Sequence, residues 1–173
     1  MAFLTEEQLK NIGFKHIGAN VKISDKCSIY NPEEIIIDDN SRIDDFCLIS
    51  GLIRIGRNVH IAAYCNLAGG ISGITMDDFS GLAYGCHVFT QSDDYSGETM
   101  TNPTIPKKFK KETFKAVSIG KHVIVGTKST ILPGVVLSEE CSVGALSMVT
   151  KSTKPWGIYF GIPGKRKKKK KMN

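Results

Sequence analysis

Four histidines, His16, His60, His87 and His122, and an acidic pair, Asp93 and Asp94 in "SDDY", are the side chains of this 173-residue chain suited to moving a proton near neutral pH. An imidazole can relieve an attacking hydroxyl or ammonium of its proton, and a carboxylate can orient that imidazole or hold the acceptor. Five cysteines, Cys27, Cys47, Cys65, Cys86 and Cys141, form the other reactive set. A zinc centre of the carbonic anhydrase kind needs three converging imidazoles, and four scattered histidines do not supply them, so no metal is expected. No Gly-rich phosphate loop points to a nucleotide hydrolase. Which of these residues can act depends on where the backbone puts them.

The backbone is legible from "VSIGKHVIVGTKSTILPGVVLSEECSVGALSMV", residues 117–149. An aliphatic side chain recurs there at every sixth position: Ile119, Val125, Ile131, Leu137, Val143 and Val149. Neither a helix nor a plain strand has a period of six. The same spacing runs through Ile17, Ile23 and Ile29, then from Ile37 to Leu67, then through Met76, Leu82 and Val88. Two residues before each aliphatic stands a small one, such as Cys47, Val59, Ser129 or Ser147, and residues two apart on a strand point the same way. Each hexad is therefore a short strand with one small and one large residue facing in, followed by a tight turn. Glycine or aspartate directly after the aliphatic, as at Gly56, Gly120, Gly126, Gly144 and Asp44, reads as a turn residue tolerant of unusual backbone angles.

Such repeats mark a parallel β-helix. Three hexads make a coil, so eighteen make about six coils, a prism roughly 29 Å long. In this frame all five cysteines take the small inward position, as reduced packing residues rather than nucleophiles, zinc ligands or disulfides. His60 and His87 directly precede inward aliphatics and so point outward from mid-strand. His122 falls in a turn, and His16 lies in the first coil near the covered end.

The expected organisation is an N-terminal cap over 1–16, a β-helix over 17–153 and a C-terminal cap with a basic tail over 154–173. Thr5 and Gln8 fit a capping box opening a short helix over the first coil. Trp156 and Tyr159 are placed to pack over or between the last coils. A polar excursion, residues 89–116, is too long for a turn and suits a binding arm that reaches a neighbouring subunit. The net charge of +6 is misleading: Lys165, Arg166 and Lys167 to Lys171 carry seven positive charges, which leaves the remainder at −1. That excludes a basic nucleic-acid face and reads as a solvated, disordered tail, or one in loose contact with lipid headgroups or cofactor phosphates. With no secretory leader and no run of some 18 apolar residues, a cytoplasmic protein without a membrane span is expected.

The second half, "IGKHVIVGTKSTILPGVVL", "VGALSMVTKS" and "PWGIYFGIPGKRK", resembles the coenzyme A half of the hexapeptide-repeat acyltransferases. Those include the galactoside and maltose O-acetyltransferases. "DDFSG" followed by "SDDYSGETMTNPTIP" resembles more closely the subgroup that acetylates nucleotide-linked amino sugars for surface polysaccharides such as O-antigen or capsule. The resemblance implies a left-handed β-helix, a homotrimer with sites between subunits, acetyl-CoA as co-substrate, and a sugar or nucleotide-sugar acceptor. It implies direct transfer without an acyl-enzyme.

Residue by residue, the resemblance carries coenzyme A contacts onto Thr127, Ala145, Thr150, Lys151, Pro163 and Lys165, the two lysines facing phosphates as point charges. Acceptor contacts fall on Tyr64, Asn66, Asp94 and Tyr95. Where the galactoside enzymes carry a catalytic histidine in a "His-Pro" element, this chain has "SDDY", so the base must be found elsewhere. His60 is the preferred base, with Asp93 or Asp94 of the same or an adjacent subunit orienting it; His87 is the second choice. The competing readings are an O-acetyltransferase of galactoside or maltose type and a non-catalytic β-helix scaffold.

Overall fold

A computed structural model describes residues 2–170. Helix α1 (Glu6–Ile12) opens with the capping box that the sequence encodes: the Thr5 hydroxyl accepts from Gln8 N–H, and the Gln8 side chain accepts from Thr5 N–H. Its one buried residue, Leu9, packs onto the first coil and closes that end of the core.

Beyond α1 the chain winds as a three-sided parallel β-helix. The first face carries His16–Ile17, Ile35–Ile37, Val117–Ile119 and Val136–Leu137. The second is an eight-stranded sheet running from Lys22–Ile23 through Arg42–Ile43, His60–Ile61, Gly81–Leu82, Ile124–Val125 and Ser142–Val143 to Gly157–Phe160 and Lys165–Lys169. The third holds Ser28–Tyr30, His87–Phe89, Thr130–Ile131 and Met148–Val149. Two long strands, Leu48–Ile55 and Asn66–Met76, run unbroken round the corner from the third face to the first, joining those faces into one ten-stranded sheet. Six coils carry the hexads, and Thr153, whose N–H donates to Val136 O, starts a seventh turn with Gly157–Phe160.

The repeat is confirmed as the core. From Ile23 to Val149 the sixth-position aliphatics are buried, except Ile29; it and Ile17, both in the end coil under α1, are half-buried. Full burial of each such side chain is worth about 1.5–3 kcal/mol, so the column, not any single contact, holds the prism together. The small inward residues also hydrogen-bond, because a strand carbonyl at a corner needs a donor: Ser41 Oγ donates to Gly56 O at 2.7 Å, and Cys47 Sγ to Ala62 O at 3.2 Å. The cysteines are free thiols, all buried but the half-buried Cys27, and burial pushes the Cys141 thiol up.

Two expectations need correction. The glycines after the aliphatics are not the residues with unusual backbone angles. The left-handed residue is the third after the aliphatic: Asn40, Phe46, Asn58, Tyr64, Phe79, His122, Lys128 and Leu146 all have φ between 55° and 64°. Glycine is needed at Gly126 for a different reason. A Cβ there would lie 2.5 Å from Ala145 N, because successive coils touch backbone to backbone at that corner.

The basic tail is not the solvated, disordered chain expected of it. Lys165–Lys169 is an ordered strand, antiparallel to Gly157–Phe160, that ends the second-face sheet. Pairing with the backbone of a folded strand outweighs the mutual repulsion of side chains that point into water on both sides. Lys171 lies outside the described residues.

All three departures from six-residue spacing fall at one corner, between the third and first faces: residues 30–36, residues 68–75 and the arm, residues 89–116. The arm thus rises from the corner opposite the second face.

Candidate active site

The second face brings together a set of charged groups. Arg42 and His60 are eighteen residues apart, one full coil, and so are direct neighbours in the ladder. Asp44 stands two residues after Arg42, with its side chain only 3% exposed. Arg42 Nε donates to its Oδ1 at 2.6 Å, and His60 Nε2 lies 2.9 Å from its Oδ2. Burial works to raise the Asp44 carboxyl, but the hydrogen bonds from His60 and Arg42 outweigh it and hold the group below the usual carboxylate range. A carboxylate so held only accepts, so His60 Nε2 carries the hydrogen in this contact. In a neutral imidazole the lone pair is then on Nδ1. Above His60 the ladder neighbour is Gly81, and its missing side chain opens a cavity of about 440 Å³ walled by His60, Phe79, Tyr84, His122 and Ile124.

The depressed Asp44 carboxyl has a consequence for stability. A group whose folded pKa lies below its unfolded value of about 3.9 stabilises the fold above that value, and the contribution is lost as pH falls through the folded pKa. Denaturation midpoints should therefore stay level from neutrality to about pH 5 and drop below about pH 4. In Asp44→Asn the acid-side drop should be shallower, read by urea titration across that window.

The other predicted residues fall into three places. Tyr64 lies in the same coil as His60, at the corner between the second and third faces, stacked on Phe46 with ring centroids 5.1 Å apart. Asn66 follows on the third face, its Oδ1 buried without a hydrogen-bond partner among the described residues. Thr127 and Ala145 lie at the same corner as Tyr64, two and three coils further on, where Leu146 N–H donates to Thr127 O at 2.9 Å. The turn holding Pro163 closes over the end of the third face, where Gly164 N–H donates to Met148 O at 2.8 Å. Tyr64, Thr127 and Ala145 therefore line one edge of the prism, with His60 on the second face and Asn66 on the third to either side of it, and the Pro163 turn over the end of the third face. Thr150 and Lys151 lie across the third face from it, and Lys165 opens the terminal strand opposite Phe160. His87 is the ladder neighbour of Asn66 and stacks on Phe89 at 5.9 Å. His16 is 3.8 Å from Asp38, and His122 stacks on Phe79 at 5.0 Å.

The arm holds the remaining acids apart from His60. Asp94 accepts from Ser96 N–H, the Ser96 hydroxyl and the Thr99 hydroxyl, each at 2.9 Å, and these bonds hold its carboxyl below the usual range. Asp93 pairs with Lys110 at 3.2 Å, and Lys110 with Glu112 at 2.9 Å. Asp93 and the 90%-exposed Tyr95 border a second cavity of about 720 Å³, floored by Ser50, Ala68 and Phe89. Within one chain the arm and His60 are on opposite sides of the prism, so the partner of His60 here is Asp44, which the sequence reading passed over as a turn residue. The eighteen-residue spacing of Arg42 and His60, with an acid between them in space, was the available signal.

No family model matches the chain. It is 42% identical over 168 residues, 95% of this chain and 87% of the relative, to a dTDP-4-amino-4,6-dideoxy-D-glucose acyltransferase from Escherichia coli. Among solved structures it is similar to AntD, an N-acyltransferase from Bacillus cereus. The AntD complex with dTDP and 3-hydroxybutyryl-CoA is 46% identical with a TM-score of 0.95, over 98% of this chain and 90% of that one. A serine-to-alanine variant of AntD with dTDP-4-amino-4,6-dideoxyglucose and coenzyme A is 47% identical with a TM-score of 0.98, over 99% and 92%. With its hexads, its left-handed prism and this similarity spanning nearly the whole of both chains, the protein belongs to the hexapeptide-repeat acyltransferases.

Proposed function

We propose that this chain transfers an acyl group, acetyl in the simplest case, from its coenzyme A thioester to the amine of a nucleotide-linked amino sugar. A dTDP-4-amino-4,6-dideoxyhexose is the acceptor to test first. The observation that carries the reading is the common edge: the small residues Thr127 and Ala145 along one corner of the prism, beside a face that carries an outward imidazole fixed by a buried carboxylate. Such an edge suits a thin pantetheine arm lying lengthwise, with its thioester directed toward the coil of His60. Thr127, Ala145 and Pro163 would line its path; Thr150, Lys151 and Lys165 lie toward the phosphate end.

The chemistry follows from the groups present. An ammonium must lose a proton before its nitrogen can attack the thioester carbonyl carbon. His60 Nδ1 takes that proton, or the one released as the C–N bond forms, while Asp44 stabilises the resulting imidazolium through Nε2. The C–S bond then breaks, the thiolate leaves and takes up a proton, and no acyl-enzyme forms. A backbone N–H along the groove would meet the oxyanion. The exposed Tyr64 offers its ring to the sugar. In a homotrimer, the arm of a neighbour would bring Asp93, Asp94 and Tyr95 across to this edge, and His87 would border the acceptor.

Release of free thiol from acetyl-CoA, measured against a panel of dTDP-linked 4-amino sugars, their 4-hydroxy counterparts and free glycosides, tests the reading. Turnover confined to the amino sugars is expected. Turnover on free galactosides or maltose with none on the amino sugars would replace it with O-acetyl transfer.

A further inference from the structure

The basic terminal strand is more than cofactor binding requires. A diphosphate and one further phosphate are matched by two or three cations, and Lys151 with Lys165 already provides two. Lys165, Arg166 and Lys167 to Lys171 supply seven charges, six of them lysine, on a body that is otherwise at −1. The structure fixes five of them in one exposed strand, Lys165–Lys169, at the end of the prism. Neighbours across a ladder point to the same side. Arg166 and Lys169, opposite the inward Tyr159 and Gly157, are therefore directed over the end of the core, and Lys165 and Lys168, opposite Phe160 and Ile158, away from it. Both sides of the strand are positive. Glu140, 3.5 Å from Lys170, is the acid paired with this segment. Beside the strand, the turn at Gly161–Gly164 presents Ile162, 71% exposed.

We propose that this end of the prism docks on an anionic lipid bilayer, the lysines among the headgroup phosphates and Ile162 at the boundary beneath them. Clusters of four to eight lysines and arginines bind anionic leaflets in this way, each adding to the attraction within a Debye length of the surface. Lysine suits this partner, since a compact charge on a flexible stem follows a fluid array of phosphates, whereas paired recognition of one fixed phosphate favours arginine. A nucleic acid fits less well: the charge forms a single short line without the groove and stacking aromatics that track a strand. No helix among the described residues is long and apolar enough to cross a membrane, so the contact is superficial. A Lys-rich last strand also keeps the open sheet edge from pairing with another chain, and the experiment separates that role from docking.

Co-sedimentation of the full chain with phosphatidylcholine vesicles, with and without phosphatidylglycerol, reads the contact directly. Binding is expected only to the phosphatidylglycerol vesicles and should be abolished in high salt. The triple variant Lys167→Gln/Lys168→Gln/Lys169→Gln should weaken it about tenfold or more, with kcat/KM for acyl transfer in vesicle-free solution within about twofold of wild type. Four outcomes overturn the proposal. One is equal or absent binding to both vesicle types. A second is a variant that binds as well as wild type. A third is aggregation of the variant where the wild type binds no vesicles, which assigns the run to edge protection. The fourth is tighter binding to a random DNA duplex than to the vesicles at the same ionic strength.

Discussion

His60→Ala should lower kcat for acyl transfer by about 10²–10⁴-fold, the range expected when a positioned general base is removed. The fold should tolerate the change. The imidazole is 53% exposed and points away from the core, Ile61 beside it keeps its buried place, and Asp44 retains Arg42 as its partner. A melting temperature within a few degrees of wild type separates lost chemistry from lost structure. His60→Gln adds a second control, since glutamine can still donate to Asp44 but cannot take up a proton at neutral pH. Both variants should lose the acid limb of the pH–rate profile. Near-wild-type turnover in His60→Ala would remove this residue from the mechanism and leave the amine to surrender its proton to water or to the departing thiolate.

Asp44→Asn should cost about 10²-fold or more in kcat with little change in the KM for the acyl donor. In the proposed mechanism the carboxylate stabilises the imidazolium and sets which nitrogen carries the hydrogen, and an amide does the first poorly and can reverse the second. Asp44 touches no substrate in this account; it is a positioning residue, so its loss must be visible in something other than rate. The expected signature is a change in which ring nitrogen of His60 carries the hydrogen, since an amide can donate as well as accept where the carboxylate only accepts. NMR of the imidazole nitrogens should report the altered tautomer. A variant with an unchanged tautomer and a merely lower melting temperature would reduce Asp44 to a structural ion partner of Arg42.

The fold was written in the sequence because its repeat is short and its faces are equivalent. Once Ile119 to Val149 set the period, Ile37 to Leu67 could be laid over it, and both the inward cysteines and the outward His60 followed. What six-residue spacing does not carry is the vertical register between coils. That register depends on eighteen-residue distances plus every insertion, and it is what places Arg42 beneath His60 and Asp44 between them. For the same reason the arm was recognised as an arm, while its position on the side away from His60 was not. The fixed terminal strand was missed because seven successive basic residues look like solvated chain until a partner strand, Gly157–Phe160, is there to pair with them.

In the proposed mechanism, catalysis runs along one outer edge of the prism, from the coil of His60 toward the terminal turn. A crystal structure of the protein with coenzyme A and dTDP tests this most directly. The pantetheine should lie along Thr127 and Ala145, with its sulfur directed at the coil of His60 and its phosphates toward Pro163 and Lys165. Coenzyme A density confined to the opposite corner, beneath the arm of the same chain and away from Thr127, would contradict it.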